Sequence, residues 1–276
     1  MHIALVTGAG EQPFPNALAT VLCGIWRNQG HAVSVGPAIP PETDVALVHI
    51  NTTTLDEAAI PAAPNGVPVL NRNALDISKR RISRNLVDVD SAYDGAVIIK
   101  TDENCFGGPR WPPSLTHQLT TQVRRVVGQR TWRHLRLLPR RNYPVLPNKR
   151  EVPAWVWRRK DLVVEKFTPE RDGEFFVLRQ WLFLGAREYG TRLYSREPVI
   201  KTRNMARYEY VNDVPDAIRA ERTRLGMDFG KFDYVVVDGQ PILLDANKTP
   251  TVGLRAKPSE HVMNLAAGLE DFAAKV

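Results

Sequence analysis

The chain has 276 residues, of which 43% are hydrophobic and 24% are charged, as in a folded globular protein with a sizeable core. Two cysteines exclude a disulfide framework, and the lack of a long apolar run excludes a membrane-spanning helix, so we expect a cytoplasmic protein. The net charge of +7 favours an anionic partner, without choosing among nucleotides, phosphorylated metabolites, nucleic acids and anionic lipid surfaces.

The first seventy residues predict a small lobe built on a parallel sheet. Apolar strands are predicted at residues 2–7, 31–35, 44–50 and 67–70, with a helix from Phe14 to Trp26 after the first strand. The turn Gly8-Ala9-Gly10 lacks the third glycine of a dinucleotide-binding fingerprint, and the second strand ends in Gly36 where that fingerprint has an acid. A Rossmann cofactor site is therefore disfavoured.

Two positively charged features follow this lobe. The sequence predicts a helix over residues 73–87, with a basic face formed by Lys79, Arg80, Arg81 and Arg84. The next predicted strand, residues 95–100, is apolar and ends in Lys100 beside a loop that contains glycines. A lysine next to backbone N–H groups is well suited to bind a phosphate group.

Residues 110–160 are rich in arginine and contain four tryptophans: Trp111, Trp132, Trp155 and Trp157. Basic residues among aromatic ones are typical of a groove for single-stranded nucleic acid. A wall of a pocket for an anionic substrate is the favoured alternative, and a basic amphipathic helix or helix pair over residues 114–138 is a third.

The second half of the chain predicts a set of antiparallel strands. Residues 161–167 form an apolar strand with Glu165 and Lys166 near its end, and residues 175–184 and 188–194 form two more. Arg179 and Arg192 lie in mid-strand, where an arginine usually faces a polar cleft or has a carboxylate partner. Helices are predicted at residues 216–225 and 259–274.

Residues 231–250 predict a β-hairpin that carries three oxygen-bearing side chains at one end. Two apolar strands meet at Asp238-Gly239, a strong turn signal. If the connecting loop has an odd number of residues, Asp233, Asp245 and Asn247 project from one face of the hairpin. Such a cluster suits Mg²⁺ held against a nucleotide phosphate, whereas the alternative is an edge hairpin whose acids face water.

The order of these features resembles the ATP-grasp superfamily over about residues 65–255. The most specific part is the combination of residues 165–170, Glu-Lys-Phe-Thr-Pro-Glu, with the Asp/Asn hairpin near the carboxyl end. The resemblance implies an α/β fold with a small parallel-sheet pre-domain and two antiparallel-sheet lobes that clamp ATP. It places the pre-domain at residues 1–87, the central lobe with its basic insert at 88–166 and the C-terminal lobe at 167–276.

The resemblance also implies roles for individual residues. Lys79 and Lys100 match lysines that contact phosphates, and Glu170 falls where a carboxylate holds the ribose hydroxyls. The adenine is expected against Glu165, Lys166 and Phe167. The resemblance implies one or two Mg²⁺ ions, with Mn²⁺ as the alternative, bound by Asp233, Asp245 and Asn247. Lys231 occupies a place where the family often has an arginine that reaches the transferred phosphate.

These expectations favour an ATP-dependent ligase that joins a small-molecule carboxylate to an amine through an acyl phosphate. Arg192 and Arg203 are candidates for holding an anionic substrate, as are the predicted catalytic residues Arg179, Arg196 and Lys201. The alternatives are a kinase acting on a hydroxyl group of an anionic metabolite and a nucleotide-binding protein without turnover. No membrane partner is expected, nucleic acid is disfavoured, and the sequence leaves homo-oligomerisation open.

Overall fold

The structure is a computed structural model that describes residues 1–104, 131–139, 143–253 and 258–272. Its strands are β1 (His2–Val6), β2 (Ala32–Gly36), β3 (Val45–Val48), β4 (Val69–Leu70), β5 (Val97–Thr101), β6 (Val145–Leu146), β7 (Leu162–Lys166), β8 (Glu170–Asp172), β9 (Phe175–Leu184), β10 (Arg187–Ser195), β11 (Arg207–Val211), β12 (Phe229–Val237) and β13 (Gln240–Asn247). The helices are α1 (Leu18–Asn28), α2 (Lys79–Ile82), α3 (Trp132–Leu135), α4 (Ala154–Trp157), α5 (Asp216–Arg224) and α6 (Glu260–Ala266).

The amino-terminal lobe is a four-stranded parallel sheet with the order β2-β1-β3-β4. The central strands β1 and β3 are apolar runs buried on both faces, and α1 and α6 pack together over one face of the sheet. Trp26 of α1 is 1% exposed and donates a hydrogen bond from Nε1 to the Ala266 carbonyl oxygen of α6 at 2.9 Å. The carboxyl-terminal helix therefore completes the core of the amino-terminal lobe.

A three-stranded antiparallel sheet with the order β6-β5-β7 forms the second layer. Trp132 is buried in its core, and Trp155 and Trp157 pack against that core. These three tryptophans therefore stabilise a hydrophobic core and do not form an exposed stacking surface. Trp111, and residues 114–130 of the predicted basic helix, lie outside the described residues.

The third sheet has six antiparallel strands in the order β11-β10-β9-β12-β13, with β8 paired to β9. One of its faces carries a buried aromatic cluster of Trp181, Phe183, Phe232 and Tyr234, which packs with Ile218 of α5. Together with the other two sheets, this arrangement confirms the predicted α/β fold class. The domain boundaries predicted after residues 87 and 166 stay predictions.

The prediction of a helix over residues 73–87 is wrong, because only Lys79–Ile82 is helical. The backbone ahead of it pairs with another segment: Leu55 N–H donates to the Leu75 carbonyl at 2.7 Å, and Ile77 N–H donates to the Thr53 carbonyl at 3.1 Å. A backbone group that bonds to another segment is not available for a hydrogen bond within a helix.

Two other helix predictions also differ in their bounds. Helix α1 begins at Leu18 and not at Phe14, since the pattern of apolar spacing does not mark its first turn. The last helix continues after α6 as the 3-10 turn Ala267–Asp271. Within the described residues, no helix is long and apolar enough to cross a membrane.

Candidate functional site

A cavity of about 300 Å³ lies where the three-stranded and six-stranded sheets meet. Part of its wall is apolar, formed by Ile98, Phe167, Phe176, Ile200 and Val235 among others. Another part is charged and is formed by Lys79, Lys100, Lys166, Lys201, Asp233 and Asp245. This division suits a ligand with a flat apolar part and a polyanionic part.

The hairpin reaches the cavity through a register shift that the sequence does not reveal. Its loop has two residues, Asp238 and Gly239, both with positive φ, and Val237 pairs with Gln240. The condition of an odd number of loop residues is therefore not met, and another feature aligns the acids. The odd residue is a β-bulge at residue 244, since Tyr234 pairs with Leu243 while Asp233 pairs with Asp245.

The bulge places four of the predicted site residues on one face of the hairpin. Asp233 lies directly opposite Asp245, and Lys231 lies directly opposite Asn247. Two like charges opposite each other on neighbouring strands repel unless cations offset them. Lys79 Nζ contacts Asp245 Oδ1, and Lys231 Nζ lies 3.0 Å from Asp233 Oδ1. The pair of acids therefore attracts cations.

The donor set at this face fits a hard divalent cation. Asp233 and Asp245 contribute carboxylate oxygens to the cavity, and oxygen is the ligand that Mg²⁺ prefers. Asn247 Oδ1 accepts a hydrogen bond from Thr249 N–H at 2.8 Å, which orients its amide on the same face. In the part of the chain that the structure describes, no three His, Cys, Asp or Glu side chains form a metal-binding group. The fit therefore rests on two carboxylates and one amide.

Lys79 is the most constrained cation of the site. It is 5% exposed, and its Nζ contacts both Asp245 Oδ1 and Asn104 Oδ1. Burial opposes the charged form, but attraction to Asp245 outweighs it, so the pKa of Lys79 is raised above its ordinary value. Lys79 therefore stays protonated at neutral pH.

Lys100 and Glu165 form a second buried ion pair, with Nζ 2.5 Å from Oε2. The two side chains lie on the adjacent strands β5 and β7. They share one face of the sheet, because Ile98 pairs with Glu165 and Lys100 follows Ile98 by two residues. Glu165 is 2% exposed, and its Oε1 has no hydrogen-bond partner among the described residues. Glu165 itself does not line the cavity, so it acts on the site through Lys100, which does.

Strand geometry directs Arg179 away from the cavity. Gln180 Nε2 donates to Asp233 Oδ1 at 2.8 Å, so the adjacent Arg179 projects from the opposite face of the sheet. There its guanidinium binds Glu170 at 2.8 Å and Asp213 at 3.0 Å. Glu170 also accepts a hydrogen bond from Val236 N–H at 2.7 Å. The structure therefore does not bring Glu170 or Arg179 to the cavity.

The remaining predicted cations divide between the cavity and the surface. Lys201 lines the cavity, in a segment that also contributes Val199 and Ile200. Arg192 contacts Asp213 on the face that carries Arg179. Arg196 is exposed and pairs with Glu174 at 3.1 Å. The structure therefore does not place Arg192 or Arg196 at the site.

Three polar residues that touch the site, in addition to its apolar wall, were not predicted from the sequence. Asn104 contacts Lys79 and donates from Nδ2 to the Ala246 carbonyl at 2.7 Å, which ties β13 to the loop after β5. Tyr143 lines the cavity, and its hydroxyl lies 3.1 Å from Thr101 Oγ1. Of the three, only Gln180 could have been identified from the sequence, because it is a polar residue beside Arg179 in an otherwise apolar strand.

No protein-family model matches the sequence, and no curated protein matches it significantly. Among solved structures, the D-cycloserine synthetase DcsG is 12% identical, with a TM-score of 0.53, over 99% of this chain and 100% of that chain. The macrocyclase MdnC from Microcystis aeruginosa MRC, bound with the precursor peptide MdnA, is 8% identical, with a TM-score of 0.51, over 98% and 100%. A RimK domain protein from Sphaerobacter thermophilus is 17% identical, with a TM-score of 0.49, over 99% of each chain.

Proposed function

We propose that this chain is an ATP-dependent ligase that joins a carboxylate to an amine. Its fold is the ATP-grasp fold, which it shares across its whole length with the ligases that are its structural neighbours. One observation carries the proposal. A single cavity gathers Lys79, Lys100, Asp233 and Asp245, although they are far apart in the sequence. Cations and hard oxygen ligands in one cavity are what binding and transfer of a phosphoryl group require.

The two parts of the cavity suit the two parts of ATP. The apolar wall, with Ile98, Phe167 and Val235, accommodates the purine ring, and the lysines accommodate the phosphates. Lys166 and Phe167, predicted beside the adenine, both line the cavity, whereas Glu165 lies behind this wall and is paired with Lys100. Lys100 lines the cavity, and its ammonium group is held by Glu165.

Asp233, Asp245 and Asn247 are the residues that would hold Mg²⁺, or Mn²⁺ in its place, and the bound ion would offset phosphate charge during transfer. Lys79 already contacts Asp245, so it lies where it can turn to a phosphate oxygen when Asp245 binds a metal ion. Gln180 holds Asp233 in its rotamer through the 2.8 Å hydrogen bond. The protein supplies positioning and charge, and a covalent enzyme intermediate is not needed.

The proposed reaction has two steps. A carboxylate oxygen of the first substrate attacks the γ-phosphorus of ATP, the bond from that phosphorus to the β–γ bridging oxygen breaks, and ADP leaves. The acyl phosphate is then attacked at its carbonyl carbon by the amine nitrogen. The carbon–oxygen bond to phosphate breaks, inorganic phosphate leaves, and the nitrogen loses a proton to form the amide. Lys79, Lys100 and Lys201 stabilise the negative charge that moves from ATP to phosphate.

Hydroxylamine tests the proposal without knowledge of the natural amine. The protein is incubated with Mg·ATP, hydroxylamine and panels of carboxylates, and both ADP and hydroxamate are measured. Because DcsG is a D-cycloserine synthetase and MdnC binds a precursor peptide, the panels contain amino acids and peptides with Asp or Glu side chains. A hydroxamate that depends on one carboxylate supports the ligase.

Two other outcomes overturn the ligase. Release of ADP with a stable phosphate ester and no hydroxamate identifies a kinase acting on a hydroxyl group. ATP binding without ADP release from any panel identifies a nucleotide-binding protein without turnover. An Asp245→Asn variant run in parallel shows whether the observed chemistry belongs to this cavity.

A further inference from the structure

The loop between β4 and α2 (residues 71–78, called the connecting loop) touches both strands of the β12–β13 hairpin and ends at Lys79. We propose that Asn71 and Lys248 are positioning residues, which fix the connecting loop to the two strands and so set Lys79 relative to Asp233 and Asp245. The inference rests on the proposed function, since it assumes that the cavity binds a nucleotide with a divalent cation.

Asn71 binds the beginning of β12 through its side chain. Its Oδ1 accepts hydrogen bonds from Asp228 N–H at 2.8 Å and Phe229 N–H at 3.0 Å, and its Nδ2 donates to the Phe229 carbonyl at 2.9 Å. The residue is 1% exposed and has a φ of 60°, in the left-handed region that few residues other than glycine adopt. Strain of this kind persists where surrounding structure enforces it, commonly at functional sites.

Lys248 binds the connecting loop from the end of β13. It follows Asn247 directly, is 1% exposed, and donates from Nζ to the Ala74 carbonyl at 3.2 Å. Asp76, in the same loop, adds electrostatic attraction. An apolar residue of similar length would fill this position without the desolvation cost of an ammonium group. Stability alone therefore does not explain a lysine at position 248.

The connecting loop is also held at two further points. Gly226 has a φ of 62°, and a Cβ added to it would lie 2.7 Å from Asn73 Cβ, so only glycine allows this approach. At the other end, Lys79 N–H donates to the Asp102 carbonyl at 2.9 Å. Because Phe229 begins the strand that carries Asp233, the contacts of Asn71 and Lys248 connect the phosphate-binding lysine to both acidic strands.

The test measures the affinity of AMP-PNP, a non-hydrolysable ATP analogue, by calorimetry with and without Mg²⁺. Asn71→Gly keeps the left-handed backbone and deletes the three side-chain hydrogen bonds, and Lys248→Met keeps the length and removes the charge. Trp26→Phe is the matched structural control, since it deletes one buried hydrogen bond in the amino-terminal lobe. The midpoint of thermal unfolding is recorded for each variant.

We expect Asn71→Gly and Lys248→Met to reduce the Mg²⁺-dependent gain in AMP-PNP affinity by about 10- to 100-fold, the range for residues that orient metal ligands. Trp26→Phe is expected to lower the unfolding midpoint and to leave that gain at the wild-type value. If both variants keep the wild-type gain, whatever their stability, the positioning role is refuted. If the wild-type protein itself binds no AMP-PNP, the proposed function fails instead, so the two failures are distinguishable.

Discussion

The contact between Lys79 and Asp245 gives the sharpest quantitative prediction. The side chains are 6% and 30% exposed, so this is a mostly buried ion pair in which one partner reaches the cavity. Asp245→Asn leaves the ammonium group of Lys79 buried between two neutral amides, namely the new side chain at position 245 and the side chain of Asn104. Removing one member of a buried pair costs about 3–5 kcal/mol, and the exposure of Asp245 places the expected loss near the lower end of that range.

A double-mutant cycle separates this coupling from other effects of the substitutions. The free energy of unfolding in urea is measured for the wild type, Asp245→Asn, Lys79→Met and the double variant. We expect a coupling energy above about 1.5 kcal/mol, since exposed ion pairs give about 0.2–1 kcal/mol and this pair is mostly buried. Asp245→Asn is also expected to abolish turnover while it stays folded. A coupling below about 0.5 kcal/mol, or full activity in the folded variant, refutes the assignment.

Three further predictions follow from other parts of the structure. Lys100→Met is expected to weaken ATP binding by about 10- to 100-fold, because a charge-assisted hydrogen bond contributes about 1.5–3 kcal/mol; unchanged affinity by calorimetry contradicts a phosphate role. Burial lowers the pKa of His49 from 6.5 to about 4, so the unfolded chain binds a proton that the folded chain does not. The free energy of unfolding is therefore expected to fall by about 3 kcal/mol as the pH drops from 6.5 to 4, and His49→Gln is expected to remove that slope in urea titrations. Gln180→Leu is expected to raise the Mg²⁺ concentration required for AMP-PNP binding, whereas Arg179→Met lowers only stability; equal metal dependence in the two variants contradicts the assignment of opposite faces.

The sequence determined the features that depend on local patterns. Short apolar runs predicted strands at residues 44–50 and 161–167, where the structure has Val45–Val48 and Leu162–Lys166, and the turn at Asp238-Gly239 predicted the hairpin. These signals are reliable because alternation, burial and turn chemistry act over a few neighbouring residues. The order of the elements then indicated the fold class, which is confirmed.

Sequence patterns also proposed most of the charged residues that line the cavity, including Lys79, Lys100 and Asp233. Lys100 was proposed from its position at the end of an apolar strand, Asp233 from the hairpin pattern, and Lys79 from the basic helix face and the resemblance, without information about which residues meet. Where such a residue lies at the end of a strand, its direction is fixed by the strand itself. The roles proposed for these residues stay predictions until affinity and turnover are measured.

Only the tertiary structure decided which side chains share a face and which partners they meet. A single bulged residue, Leu244, aligned Asp233 with Asp245, and the sequence contains no signal for that bulge because its cause is pairing between strands. The alternation of side chains along β9 placed Arg179 on the opposite face, where it binds Glu170, although both residues had been predicted at the site. Burial of Lys79 likewise depends on contacts with residues far along the chain, which no local pattern records.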